Sequence, residues 1–250
     1  MKLTESEKYA SLIFDCDGVI LDSNRIKTEA FRRAAMPCGK AAADALVDHH
    51  VAYGGVSRYR KFEHFLDVIV PAHATATAEP TDGGQSRPGL DALLAAYAEA
   101  VYQGLRECAV AEGLARLRSA TPHARWIVAS GGDQAELREV FAERGIAGCF
   151  DGGIFGSPTS KHDIVADGIA EGRIVHPALF LGDSRMDHEV ALAHGLDFVF
   201  VSGWTEMPGW RDYVRAHGLK VVERIASLPL SLLVNELSWL VSGRECSQRA

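Results

Sequence analysis

The sequence predicts an α/β protein: a doubly wound, mainly parallel sheet with an all-helical domain inserted into it. Short apolar runs at Leu12-Ile13-Phe14, Trp126-Ile127-Val128-Ala129, Leu179-Phe180-Leu181, Phe198-Val199-Phe200-Val201 and Lys220-Val221-Val222 each end in a polar or glycine-containing turn, the pattern of strands buried on both faces. Helical patterns alternate with them. The clearest spans 133–144, where Asp133 can cap the first turn, Glu136 follows three residues later and Gly145 ends the run. Such alternation builds a doubly wound sheet. One long stretch breaks the rhythm: 25–35, 41–49, 58–70 and 90–106 all read as helices, with no buried strand between them. The expected division is therefore a discontinuous core of residues 1–21 and 107–250 around a helical domain of residues 22–106.

Within the insertion, 71–88 is rich in Ala, Thr, Gly and Pro and reads as a flexible connection. Near the end of the chain, 228–241 is apolar but contains Asn235 and Glu236, and it falls short of the ~20 residues that span a bilayer. It reads as a packing helix. Trp204 and Trp210 read as packing residues too. The 250 residues are 47% hydrophobic and 24% charged, which excludes a disordered chain. A net charge of -7 without a long basic run argues against nucleic acid or an anionic membrane as partner. Cys16, Cys38, Cys108, Cys149 and Cys246 are odd in number and scattered, as expected of reduced thiols. Residues 1–10 lack the apolar core of a signal peptide. These features together predict a cytoplasmic protein.

Chemistry concentrates at the strand ends. The first strand ends in Asp15-Cys16-Asp17-Gly18, two carboxylates at alternate positions where a parallel sheet opens onto its ligand crevice. A hard cation such as Mg²⁺ would compensate two acids there and hold a phosphate beside them. Ser130-Gly131-Gly132 ends the second strand with a hydroxyl and free amides suited to an anionic oxygen. Lys161 opens a further helix, and the strand 179–181 runs into Gly182-Asp183-Ser184-Arg185-Met186-Asp187, with carboxylates four residues apart.

Taken in order, Asp15-x-Asp17-Gly18, Ser130 at a strand end, Lys161 and Gly182-Asp183-x-x-x-Asp187 resemble the four motifs of the haloacid dehalogenase superfamily. The likeness covers the whole core, and the helical insertion resembles the superfamily's type-one cap on a Rossmann-like core. The resemblance implies a Mg²⁺-dependent phosphatase acting on a small phosphorylated metabolite, a sugar phosphate or a phosphorylated acid. It implies Asp15 as nucleophile forming an aspartyl-phosphate, Asp17 as acid and base, and Ser130 and Lys161 as stabilisers of the phosphoryl oxygens. Mg²⁺ would be held by Asp15, the Asp17 carbonyl and Asp183, with Asp187 acting through water or by orienting Lys161. Gly131 would contact the substrate. Asp17 points away from the branches that cleave carbon–halogen or carbon–phosphorus bonds.

Two alternatives stay open. Gly55-Val56-Ser57-Arg58 resembles the substrate loop of β-phosphoglucomutase, whose Arg holds the non-reacting phosphate. Against a mutase, Lys27 stands where that enzyme has a histidine, and Ser130-Gly131-Gly132 lacks its Ser-Lys pair. A catalytically silent binding protein on the same scaffold is the other alternative. Arg58 is expected to reach the substrate's second anionic group, whereas Arg60 and Lys61 read as the solvated first turn of a helix. His49-His50 reads as a surface helix end, since adjacent residues do not share a helix face.

Overall fold

The computed structural model describes residues 8–73 and 87–233. Six strands form one sheet: β1 (Ser11–Phe14), β2 (Arg125–Asp133), β3 (Gly153–Ser157), β4 (Ala178–Gly182), β5 (Asp197–Val201) and β6 (Lys220–Val222). Their order is β3-β2-β1-β4-β5-β6, and every neighbouring pair is parallel. Strand order runs outward from β1 to β3 on one side and from β4 to β6 on the other. The crevice outside the carboxyl ends of β1 and β4 is therefore the switch point at which such sheets bind ligands.

The central strands read as unbroken apolar runs because both faces are covered. Leu12, Phe14, Trp126 and Val128 join one buried cluster, while Ile13, Ile127, Ala129 and Phe180 join a second on the opposite face, the two-residue alternation of a strand. Strand β3 has no counterpart among the expected strands. Its sequence, Gly153-Ile154-Phe155-Gly156-Ser157, is interrupted by glycine. Gly156 sits beside an irregular stretch of β2 between Ala129 and Asp133, where a Cβ would lie 2.3 Å from the Gly132 carbonyl oxygen. Close packing of two backbones thus erased the apolar signal.

Between β1 and β2 lie α1 (Asn24–Ala35), α2 (Lys40–Ala52), α3 (Arg58–His64), α4 (Val70–His73) and α5 (Leu90–Glu107), with no strand among the described residues. The expected helix over 58–70 is interrupted by a π-helical turn at Phe65–Ile69. Phe31 of α1, Leu46 of α2, Phe62 of α3 and Leu93, Tyr97 and Val101 of α5 pack together. The Phe31 ring lies 5.1 Å from Phe62 and 4.5 Å from Tyr97. The chain enters and leaves the insertion through a narrow neck: the Asp22 amide donates to the Ala109 carbonyl at 3.0 Å, and the Ala111 amide to that of Ile20 at 2.8 Å.

The remaining helices are α6 (Leu114–Ala120), α7 (Gln134–Glu143), α8 (Lys161–Ala170), α9 (Arg185–Ala193) and α10 (Trp210–Ala216). The Asp133 side chain caps α7 by accepting from the amides of Ala135 and Glu136, and Gly145 follows it at a positive φ of 68°. Trp210 stacks on Phe200 at 5.7 Å. Of the flexible connection expected at 71–88, residues 74–86 lie outside the described residues, as do residues 1–7, Cys246 and all of the expected 228–241 helix beyond Leu233. No helix among the described residues is long and apolar enough to cross a membrane.

Candidate active site

The Asp15 amide donates to the Leu181 carbonyl at 2.9 Å, so sheet hydrogen bonding fixes this residue between β1 and β4. Its Oδ1 accepts from the Cys16 amide at 2.7 Å and lies 2.9 Å from Lys161 Nζ. Lys161 is the first residue of α8, a helix capped by Ser160, and it also donates to Asp187 Oδ1 at 2.5 Å. Asp187 is held by a reciprocal cap at the start of α9, where its Oδ2 accepts from the Ser184 amide and hydroxyl. Asp15, Asp183 and Asp187 are buried, and one oxygen of each lies within 4.8 Å of the others. Gly18 makes this approach possible. Its φ is +77°, and a Cβ there would lie 2.1 Å from Asp183 Oδ2.

Burial, partly offset by Lys161 and reinforced by Asp187 and Asp17, pushes Asp15 up to about 7. Burial together with the charges of Asp15 and Asp187 pushes Asp183 well above the usual carboxylate range, against a hydrogen bond from Asn24. Lys161 is driven upward because Asp15 and Asp187 outweigh its own burial. Lys27 pairs with Asp17, and Lys161 with Asp15 and Asp187; with Asp183 beside them, the four carboxylates, once all ionised, exceed the two ammonium groups by two negative charges. A hard divalent cation with oxygen ligands matches both that deficit and this donor set, so the residues fit Mg²⁺.

Asp17 is set apart from the other three. Its Oδ1 accepts from Ser23 Oγ at 2.6 Å and its Oδ2 from Lys27 Nζ at 2.7 Å. Burial alone would raise its pKa, but the Lys27 charge and the hydrogen bonds from Lys27 and Ser23 prevail and hold it below the usual range. Asn24 bridges Asp183 Oδ2, at 2.8 Å, and the Trp204 carbonyl, at 3.0 Å. Sequence reasoning missed Ser23 and Asn24, and it treated Lys27 only as a departure from a mutase. The available signal was Ser23 and Lys27 four residues apart, on one helix face directly after the acidic loop.

A cavity of about 310 Å³ lies above these strand ends, with Asp15, Asp17, Asp183, Gly131 and Arg58 among its lining residues. Ser130 is buried, and its hydroxyl accepts from the Gly132 amide at 3.0 Å. The insertion touches the core at Gly131, where a Cβ would lie 2.3 Å from the Gly55 carbonyl oxygen. Beside this contact, Arg58 reaches Glu136 Oε2 at 2.8 Å and Asp133 Oδ2 at 3.4 Å, and the Tyr59 hydroxyl donates to Asp133 Oδ2 at 2.8 Å. Both terminal nitrogens of Arg58 therefore face carboxylates at the start of α7.

Arg60 is exposed, as the sequence predicts, whereas Lys61 is buried on the cavity wall. Its Nζ donates to His50 Nδ1 at 2.6 Å. His50 is not a surface helix end: its ring packs 4.5 Å from that of Phe31 and lines the same cavity. His49 instead stacks on His64 at 4.1 Å, and neither histidine joins the carboxylate cluster.

The family model for haloacid dehalogenase-like hydrolases matches residues 9–195. A tyrosine-protein kinase, PtkA of Mycobacterium tuberculosis, is 26% identical over 224 residues, covering 87% of this chain and 69% of the relative. The crystal structure of CbbY from Rhodobacter sphaeroides in complex with phosphate is 18% identical with a TM-score of 0.64, covering 88% of this chain and 96% of that one. A predicted phosphatase of Clostridium acetobutylicum is 16% identical with a TM-score of 0.62, covering 95% and 99%. At these identities the two structural likenesses speak to the fold.

Proposed function

The chain belongs to the haloacid dehalogenase-like hydrolase family, and on that premise we propose that it is a Mg²⁺-dependent phosphomonoester hydrolase acting on a small phosphorylated metabolite. The observation that carries this reading is the buried convergence of Asp15, Asp183 and Asp187, with Lys161 paired to Asp15 and Asp187, at the switch point of the sheet. We read residues 22–106 as a cap over a core of 1–21 and 107–250, and the cavity lined from both parts lies within the size range of small-molecule sites. The solved neighbours include one with bound phosphate, which agrees with a phosphorylated substrate.

In this reading the Asp15 carboxylate attacks phosphorus in line as the ester P–O bond breaks, and Asp17 gives a proton to the departing oxygen. Asp17 then takes a proton from the water that attacks the aspartyl-phosphate, and phosphate leaves with Asp15 restored. Ser23 and Lys27 fix the orientation of Asp17 and favour its ionised form, the state that the second half requires; the first half runs from the protonated form, which the proton taken from water in the preceding turnover supplies. Lys161 meets the phosphoryl charge, and Asp187 orients Lys161. Gly131 supplies backbone to the substrate oxygens, and Ser130 supports that turn. Asp15, Asp183 and the Asp17 carbonyl would hold Mg²⁺, which when bound neutralises the carboxylates and the phosphate together.

Purified protein incubated with phosphorylated metabolites and Mg²⁺ should release inorganic phosphate, and a beryllofluoride adduct should sit on Asp15. Absence of phosphate release across aryl, sugar and acid phosphates would overturn the proposal. The kinase relative and the mutase-like loop favour phosphoryl transfer as a second reading, which would convert substrate without releasing phosphate.

A further inference from the structure

Lys61 is 1% exposed, lines the cavity and makes no ion pair among the described residues. Its polar contacts are the His50 ring, at 2.6 Å, and the His50 carbonyl, at 3.4 Å. A buried ammonium without a counter-charge is costly unless a ligand supplies one. Of the other cations lining the cavity, Arg185 is exposed to solvent and lies over the Tyr213 ring, and the others are already committed. Lys27 is spent on Asp17, and the terminal nitrogens of Arg58 are spent on Glu136 and Asp133. We infer that Lys61, with His50 as its hydrogen-bond acceptor, is the receptor for a second anionic group on the substrate, so that the substrate class is a small phosphomonoester bearing a carboxylate or a second phosphate remote from the transferred phosphoryl group. This rests on the proposed hydrolase reading and adds its specificity determinant.

The surroundings of Lys61 agree. Burial first, then the charges of Lys27 and Lys161, with Asp17 opposing, lower Lys61 to about 7. The same ammonium and burial hold His50 well below the usual histidine range, so His50 is neutral and free to accept at Nδ1. An arriving anion restores the full charge of Lys61. Helix α3 is built to present it: Phe62 is buried in the insertion's core, Arg60 points to solvent, and the Phe31 ring lies 5.5 Å from the Lys61 ammonium.

The test compares kcat/KM for 2-phosphoglycolate and a sugar bisphosphate with that for glycolaldehyde phosphate and p-nitrophenyl phosphate, in the wild type and in Lys61→Met. The wild type should favour at least one anionic-ended ester over glycolaldehyde phosphate by tenfold or more, and the two anionic arms show whether carboxylate or phosphate is the group held. Lys61→Met should bring that ratio to within threefold of one, with a melting temperature equal to or above that of the wild type, because an unpaired buried charge has been removed. A ratio unchanged by the substitution, no preference in the wild type, or a parallel loss on all esters with a lowered melting temperature would overturn the inference while the hydrolase reading stands. No hydrolysis of any ester, p-nitrophenyl phosphate included, would overturn that reading and the inference with it.

Discussion

At the ends of β1 and β4, four carboxylates share two lysines, whereas in the helices above them Lys61 has a histidine for its partner and no carboxylate at ion-pair distance among the described residues. The floor of the cavity is short of positive charge and the roof is short of negative charge, and about 310 Å³ of space separates them. The two deficits do not cancel within the protein because the groups are held apart by rigid elements. On the proposed reading each is completed from outside, the floor by a divalent cation, the roof by an anionic group of the substrate. Lys27 shows the contrast within one side-chain type: it rises from the same insertion as Lys61 but reaches Asp17 at 2.7 Å.

The floor is broken most completely at Asp15. Asp15→Asn should lower kcat by at least ~10⁴-fold while leaving the fold intact, since it removes the attacking oxygen and little else; near-normal turnover measured by phosphate release would end the covalent mechanism. Metal removal comes next. EDTA should abolish activity and Mg²⁺ restore it. By titration calorimetry Asp183→Ala should weaken Mg²⁺ binding more than Asp187→Ala, for which a supporting role predicts a loss of about 10–100-fold.

Lys27 and Lys61 should then part company in stability. Lys27→Met strands Asp17 with Ser23 alone and should cost about 3–5 kcal/mol in urea denaturation, the scale for breaking a buried pair. Asp17→Asn added to Lys27→Met should return part of that loss, and if it returned none, the pair would not be the source. The smallest effect is expected at Arg58, which bridges the insertion to α7. Arg58→Ala should raise KM by about three- to tenfold on charged and uncharged esters alike, with kcat nearly unchanged, because it loosens closure rather than a substrate contact. A loss confined to esters with a second anionic group would move the anion receptor from Lys61 to Arg58.

The same floor and roof differ in how far the sequence reveals them. Asp15, Asp17, Asp183 and Asp187 were legible because each stands just beyond an apolar run, and the end of a parallel strand is where such a sheet exposes chemistry. Their grouping required only that the runs be neighbours in one sheet. The roof depends on which face of a short helix meets which neighbour. Arg60 and Lys61 are adjacent and alike in charge, yet one is exposed and the other sealed beneath Phe31 and His50, a distinction made by tertiary packing alone. Ser23, Asn24 and Lys27 were hidden for a similar reason, since α1 must dock over β1 and β4 before its first turn can touch the acids. Strand β3 escaped because glycines demanded by close backbone packing took the place of its apolar residues.

The neck at Ile20, Asp22, Ala109 and Ala111 makes the insertion an exchangeable part. Incoming and outgoing segments are hydrogen-bonded to each other on the core side, so the sheet meets the same pair of ends whatever is strung between them. The entropy of closing that loop grows only slowly with its length. A graft that keeps the neck and the segment 23–27, with its Ser23, Asn24 and Lys27 contacts to the acids, and replaces the remaining helices would therefore ask little of the core, and selection could trade one roof for another while the floor kept its contacts.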